Sequence, residues 1–349
     1  MRKQIKSMDA ISIFEHINDN LKELGVEEIR ELIRPLMKGV SVEAPIIPAG
    51  TFLYRARKLD NSFNKDRKIL KSDLKYPPPD KATLGRLNRN GQSVFYCSSS
   101  KEPILFELPN LSEGHEIIIS FWKTLETMIV NNIGYTEFIF SQMGAKRVAP
   151  SWSVKKIDDA NQEITLNENS FPAEAREKIL SHDENRIFRE LMSKEFMREV
   201  ADSECHHYKL TTALAELHLG EIKNHAKQFA GIIYPSVKMS ANGDNFALTP
   251  KFVDQYLEFK KATHIKITKK DGNSFSINKL DAAIELNDDE SLKWLGRLPH
   301  WVLNKPFQEA KCTATAGKDK NGDYENSKDG TPCHWVFVDN KTGEVIEEC

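Results

Sequence analysis

The chain has 349 residues, 40% of them hydrophobic, and 49 basic against 51 acidic side chains leave a formal net charge of −2. That is apolar content for a real core and length for two or three average domains or one decorated one. The balanced charge gives no global pull towards nucleic acid or anionic lipid, and no run approaches the roughly 20 apolar residues that a membrane-spanning helix requires.

The first nine residues, Met1 to Asp9, lack the apolar centre of a secretory signal. Cys97, Cys205, Cys312, Cys333 and Cys349 are odd in number and widely scattered, which is no disulfide framework and points to a reducing cytoplasm. Residues 9 to 38 read as two amphipathic helices. Ile11, Phe14, Ile17, Leu21 and Leu24 step by three or four, Gly25 is the expected stop, and Ile29, Leu32, Ile33 and Leu36 repeat the pattern.

From Val40 to Lys58 the pattern turns extended. Thr51 to Arg57 predicts a strand with Arg55 and Arg57 on one face. Asn61 to Lys81 is polar and ends in three prolines, so a mobile loop beside a pocket is expected there. Asn88 to Gln92 is turn-rich, and Ser93-Val94-Phe95-Tyr96-Cys97 is a buried strand by composition. Ser100 as cap and Pro103 in the first turn open a short helix that Pro109 stops. Ile104, Leu105 and Leu108 would form its buried stripe, with Glu107 pressed beside it and in need of a partner.

His115–Phe121 and Thr127–Asn131 read as strands. Gly144–Asn169 is irregular and polar, Pro172 to Ala201 is a long charged helical stretch, and a further helix runs from Leu210 to Lys223. Phe229–Val237 is a buried strand, Ser240–Asp244 a turn, Asn245–Leu248 a strand, and Thr249-Pro250 caps a helix to Leu257. The tail from Ala262 reads as strands, one helix near Asp289–Leu295, a flexible loop over Lys318–Gly330, and a closing hairpin whose arms, Cys333–Val338 and Glu344–Glu348, flank a turn.

Five of these stretches together resemble the RES-domain family: Leu53-Tyr54-Arg55-Ala56-Arg57, the block Gly85–Leu108, Ala213-Leu214-Ala215-Glu216, Gly231-Ile232-Ile233-Tyr234-Pro235-Ser236-Val237 and Asn245-Phe246-Ala247-Leu248. The likeness runs from Leu53 to Phe259. It implies an ADP-ribosyltransferase-like fold and an enzyme that destroys NAD+ by cleaving the bond between nicotinamide and ribose, with water or phosphate as acceptor. Motif by motif, Arg86, Glu107 and Ser236 fall on the family's catalytic arginine, glutamate and serine. Arg55, Tyr96 and Asn245 fall on positions that line its NAD+ pocket. The resemblance also implies a growth-arresting toxin or defence effector with an Xre-type antitoxin or another regulatory protein as partner. Transfer of ADP-ribose to a protein and a non-catalytic nucleotide- or partner-binding module are the alternatives, and a homo-oligomer is left open.

The residue chemistry fits that implication. Planar arginine forks suit the oxygens of a dinucleotide's pyrophosphate, which makes Arg55 and Arg86 natural clamps. Nicotinamide leaves a cationic pyridinium as a neutral molecule, so no general acid is required. One carboxylate, Glu107, can then steady an oxocarbenium-like ribose by charge alone. Tyr96 offers a ring face and a hydroxyl. No metal is needed: Cys205-His206-His207 lacks a second cysteine or histidine pair at ligand spacing, and Thr331-Pro332 with the closing hairpin explains Cys312 with Cys333-His334 more simply than zinc does.

The expected whole is an α+β protein: a helical hairpin over 1–40, a RES-like NAD-binding domain over 41–265 carrying a helical insertion at 140–205, and a β-rich extension over 266–349.

Overall fold

Ile13, Phe14 and Ile17 of α1 (Ala10–Asp19) and Ile29 and Ile33 of α2 (Val26–Ile33) are buried, as their spacing predicts. The computed structural model of the chain describes residues 9–37, 44–60, 68–136, 156–157, 163–164, 183–220, 229–271, 274–296, 312–316, 335–339 and 345–348. Gly25 does not stop α1. Asn20 does, its side-chain amide donating to the His16 carbonyl at 2.8 Å. Gly25 is instead the N-cap of α2, its N–H held by Glu28 Oε2 at 2.7 Å.

The chain divides into two compact units, Met1–Gly296 and Arg297–Cys349. In the first, β1 (Ile46–Ile47) and β2 (Phe52–Lys58) precede β3 (Phe95–Ser98) and the short helix α3 (Lys101–Phe106). Then come β4 (Glu116–Thr124), β5 (Met128–Asn132) and a small two-stranded sheet of β6 (Lys156–Ile157) and β7 (Glu163–Ile164). Helices α4 (Asp183–Phe196) and α5 (Tyr208–Gly220) lead to β8 (Phe229–Pro235), β9 (Asp244–Leu248) and α6 (Pro250–Tyr256). Two long strands and a short one, β10 (Leu257–Asp271), β11 (Ser274–Leu286) and β12 (Leu292–Trp294), complete the unit. Ten of these strands make one open sheet in the order β1-β5-β8-β9-β3-β2-β4-β10-β11-β12. Only β5 and β8 run parallel in it. The protein is therefore a mixed α+β fold built on a large mixed sheet. The boundary expected at 265/266 falls inside β10. In the second unit β13 (Cys312–Ala316), β14 (Trp335–Asp339) and β15 (Val345–Glu348) form an antiparallel sheet, its β14–β15 pair lying where the closing hairpin is expected.

Strand alternation sorts the side chains of the large sheet onto two faces. Leu53, Phe95, Cys97, Ile118, Trp122, Ile233, Phe246 and Leu248 share one buried cluster. The other face carries two. Ile232, Tyr234, Ala247 and Tyr96 meet the helices α1, α2, α4 and α5, while Tyr54, Ala56, Ile117, Ile119 and Phe121 lie with Ile104 and Leu105 of α3.

Two expectations from the sequence do not hold. Residues 68–81 are not a loose loop, because Ile69 and Leu74 are buried, Leu70 bridges Ser291, and Lys71–Leu74 is a 3₁₀ turn. Asn61–Arg67 lies outside the described residues. No helix forms over Asp289–Leu295 either. Asp289 Oδ1 accepts from the Ser291 hydroxyl at 2.6 Å and from its N–H at 3.2 Å, a local turn that competes with helix, and Leu292–Trp294 then pairs with β11. The long charged helix is Asp183–Phe196, and Lys318–Gly330 and most of 140–182 lie outside the described residues. Among the described residues no helix is long and apolar enough to cross a membrane.

Candidate functional site

Helix α3 delivers the carboxylate. Ser100 stands at its N-cap and Pro103 in its first turn, where the missing N–H removes no helical bond. Ile104 and Leu105 are buried against the sheet, which fixes the helix and sets Glu107, at the C-cap, over β9. Glu107 is not pressed into the core as its sequence neighbours suggest, for the residue is exposed. Its Oε1 nonetheless accepts two hydrogen bonds, from Ser236 Oγ at 2.7 Å and from Asn245 Nδ2 at 3.0 Å. Among the described residues Oε2 takes none. Both donors are buried. Ser236 follows β8 directly and is pinned by its N–H to the Gly243 carbonyl at 2.8 Å. Asn245 lies across from Tyr234 on one side and Ser98 on the other. Three residues from distant stretches thus meet at one oxygen.

Arg86 is held on the same face by a separate set of contacts. Its loop is fixed at Gly85, whose N–H bonds the Asn88 carbonyl at 3.0 Å and whose carbonyl accepts from Thr212 Oγ1 at 3.0 Å. A Cβ at Gly85 would lie 2.6 Å from Asn88 Oδ1, so this close approach requires glycine. The guanidinium donates through Nη1 to the Phe196 carbonyl at 2.6 Å and through Nη2 to the Arg198 carbonyl at 3.1 Å, and it lies over the Tyr208 ring. Phe196 ends α4, where helix carbonyls lack helical partners and a cation is favoured.

Tyr96 serves that loop. Its hydroxyl donates to Asn88 Oδ1 at 2.8 Å and accepts the Leu87 N–H at 2.9 Å. Burial is the main reason its hydroxyl titrates above the usual tyrosine range. Arg55 is elsewhere. Leu53 and Arg55 alternate with Tyr54 and Ala56, so Arg55 leaves the face opposite to Tyr96, Asn245 and Glu107, and its guanidinium lies over the Phe95 ring at 5.4 Å. Strands β2 and β3 pair at one position, Tyr54 with Ser98, and beside it Arg55 Nη1 donates to the Tyr96 carbonyl at 2.8 Å. Nε has no partner among the described residues, and burial lowers the guanidinium to about 10.

Two residues escape the sequence assignment although their motifs are in plain view. Tyr234 is buried on the site face, its ring 6.4 Å from that of Phe196. Its hydroxyl is pushed well up, first by burial and then by Tyr96 and Glu107, with Arg86 opposing. Tyr234 therefore stands within electrostatic reach of both Arg86 and Glu107. Its position two before Ser236 in a strand, hence on the face of Ile232, was the available signal. Glu216 is the other: it binds Arg89 through both carboxylate oxygens and Arg30 at 3.3 Å, tying the Arg86 loop to α2 and α5.

Among the described residues no group of three or more His, Cys, Asp or Glu side chains is placed to hold a metal ion. Cys205 is exposed beside the rings of His206 and His207, which lie 4.5 Å apart and tilted at 34° to each other. Cys333 and His334 lie outside the described residues. Compared with family models, curated proteins and solved structures, the chain matches none.

Proposed function

We propose that this chain is a RES-type, ADP-ribosyltransferase-like enzyme that consumes NAD+ by cleaving the nicotinamide–ribose bond, working in the cytoplasm as a toxin or defence effector. The observation that supports this reading best is the junction at Glu107, where Ser236 and Asn245 share Oε1 and leave Oε2 for a ligand. A carboxylate so held has its orientation set before any substrate arrives, which is what electrostatic stabilisation of a developing cation requires. Oε2 is free to accept from ribose hydroxyls while the negative charge faces the anomeric carbon. The C–N bond breaks with its electron pair going to nicotinamide, water or phosphate forms the new bond to carbon, and water releases one proton. Tyr234, buried on that face and within electrostatic reach of Arg86 and Glu107, is the aromatic group best placed to border the substrate. A regulatory protein of the Xre-antitoxin kind is the expected partner, and neither nucleic acid nor membrane is.

The test is purified protein incubated with NAD+, with and without phosphate, and products identified by mass spectrometry. Free nicotinamide with ADP-ribose or its 1″-phosphate supports the reading. Label from clickable NAD+ retained on protein would replace it with protein modification. NAD+ that binds and persists over hours would replace it with a nucleotide-sensing module.

A further inference from the structure

Both arginines that the sequence assigns to phosphate are engaged elsewhere. Arg55 leaves the opposite face of the sheet, and Arg86 spends each terminal nitrogen on a backbone carbonyl. The face that carries Glu107 has other cations. Lys261 stands across from Phe121 in the β4–β10 ladder with Nζ 4.6 Å from the ring centroid. Lys101, the first residue of α3, brings its Nζ to 5.2 Å from the same centroid. Phe121 pairs in turn with Tyr54, Tyr54 with Ser98, and Ser98 with Asn245. One row of cross-strand neighbours therefore runs from Asn245 to Lys261, and α3 lies over it with Lys101 at one end and Glu107 at the other. Six residues of helix separate these ends by about 9 Å.

Lys279 joins from β11, on the same face as Ile265, with which it pairs. Burial, then the charges of Lys101 and Lys279, lower the Lys261 ammonium below its ordinary range. The neighbouring lysines are matched: Lys260 meets Glu258 and Lys266 meets Glu116. Lys101, Lys261 and Lys279 make no ion pair with a carboxylate among the described residues. The ammonium groups of Lys101 and Lys261 share the Phe121 ring and, with Lys279 near by, repel each other without a counter-ion; a multiply charged anion between them removes that repulsion.

We propose that Lys101, Lys261 and Lys279 form a binding site for a diphosphate group, and, resting on the dinucleotide reading above, that this site takes the phosphates of the substrate in place of Arg55. Ammonium groups act on phosphate as point charges, so the site needs no fixed fork geometry and weakens with salt. Its location fits a ligand whose sugar lies at Glu107 and whose phosphates run along the flank of α3.

The probe is ADP, titrated calorimetrically into the full chain at low and high salt. The Lys101→Ala/Lys261→Ala double variant is expected to bind ADP about tenfold more weakly, with a shallower salt dependence, while a Lys260→Ala/Lys266→Ala control binds as wild type does. In NAD+ turnover the double variant should raise KM by a similar factor and change kcat little. ADP binding within twofold of wild type in the double variant, or no ADP binding by the wild type, overturns the site. Lysine-dependent ADP binding in a protein that leaves NAD+ intact upholds the diphosphate site and removes the enzymatic reading. NAD+ turnover with an unchanged KM in the double variant does the reverse.

Discussion

Replacing Glu107 by glutamine separates charge from shape at the centre of the candidate site. Both hydrogen bonds to this side chain end on Oε1, at 2.7 and 3.0 Å, and an amide oxygen can accept both. The new NH₂ would occupy the place of Oε2, which no described residue bonds. The fold loses only the charge assistance to two bonds, about 1–2 kcal/mol at most, because bonds to a charged group run roughly twice the strength of neutral ones. Glu107 is exposed, so water screens part of that, and in a unit of this size each kcal/mol moves Tm by about 2 °C. Turnover should respond far more. A carboxylate about 4 Å from a developing cation contributes about 4 kcal/mol at an effective dielectric of 20, or about a thousandfold in rate. The paired measurements are NAD+ loss at saturating substrate and calorimetric melting of the same preparations. Turnover within threefold of wild type refutes the electrostatic role. Lost turnover accompanied by a melting point lower by 8 °C or more refutes it equally, since the carboxylate would then be holding the fold together.

Tyr96→Phe deletes the hydroxyl that joins Asn88 to the Leu87 N–H and should cost about 2 kcal/mol, read as a lower urea midpoint; an unchanged midpoint would remove Tyr96 from its place under the Arg86 loop. Gly231→Ala would set a Cβ 2.0 Å from the Ala247 carbonyl oxygen, so β8 and β9 must part; a loss above about 3 kcal/mol is expected, and a melting point within two degrees of wild type would contradict the β8–β9 register. His218 is buried, and burial lowers it from 6.5 to about 4, so the unfolded chain takes up its proton first as pH falls. Stability is then fully present above pH 6.5, is lost between 6.5 and 4, and falls by about 3 kcal/mol across that window. Unfolding of a His218→Met variant at pH 7.5 and pH 5 should show a smaller difference than wild type, and an equal difference would assign the acid sensitivity elsewhere.

The helices of the N-terminal region and most strands were legible because their apolar positions repeat with the period of the element. The junction of Glu107, Ser236 and Asn245 was legible only through ordered resemblance, since nothing in spacings of 129 and 138 residues announces a contact. Other features were hidden for separate physical reasons. Ile69 and Leu74 are single apolar residues in a polar run, and burial of such residues depends on what the rest of the chain places above them. A helix is expected near Asp289–Leu295, yet the Asp289 carboxylate closes a turn on Ser291 instead. Strand periodicity does show that Arg55 and Arg57 share a face. Which face that is depends on the register of β2 in the sheet, set by its seven pairings with β4 and by that of Tyr54 with Ser98 in β3, and a shift of one residue would reverse it.

That register is also why the two halves of the site stand where they do. Tyr54 pairs with Ser98 on one side and Phe121 on the other, so the row carrying Asn245 at one end must carry Lys261 at the other. Helix α3 bridges them, and two features hold it down. Ile104 and Leu105 fill the apolar surface around Tyr54, and Gly243 lets the turn before β9 close on Pro103, whose Cγ lies 2.4 Å from where a Cβ would stand. The separation of the carboxylate from Lys101 is therefore a property of one short helix, set by packing and independent of either charge. A ligand that needs both ends must match about 9 Å of helix rise, and substitutions under α3 should alter catalysis and phosphate binding together, while substitutions of the charged groups alter them one at a time.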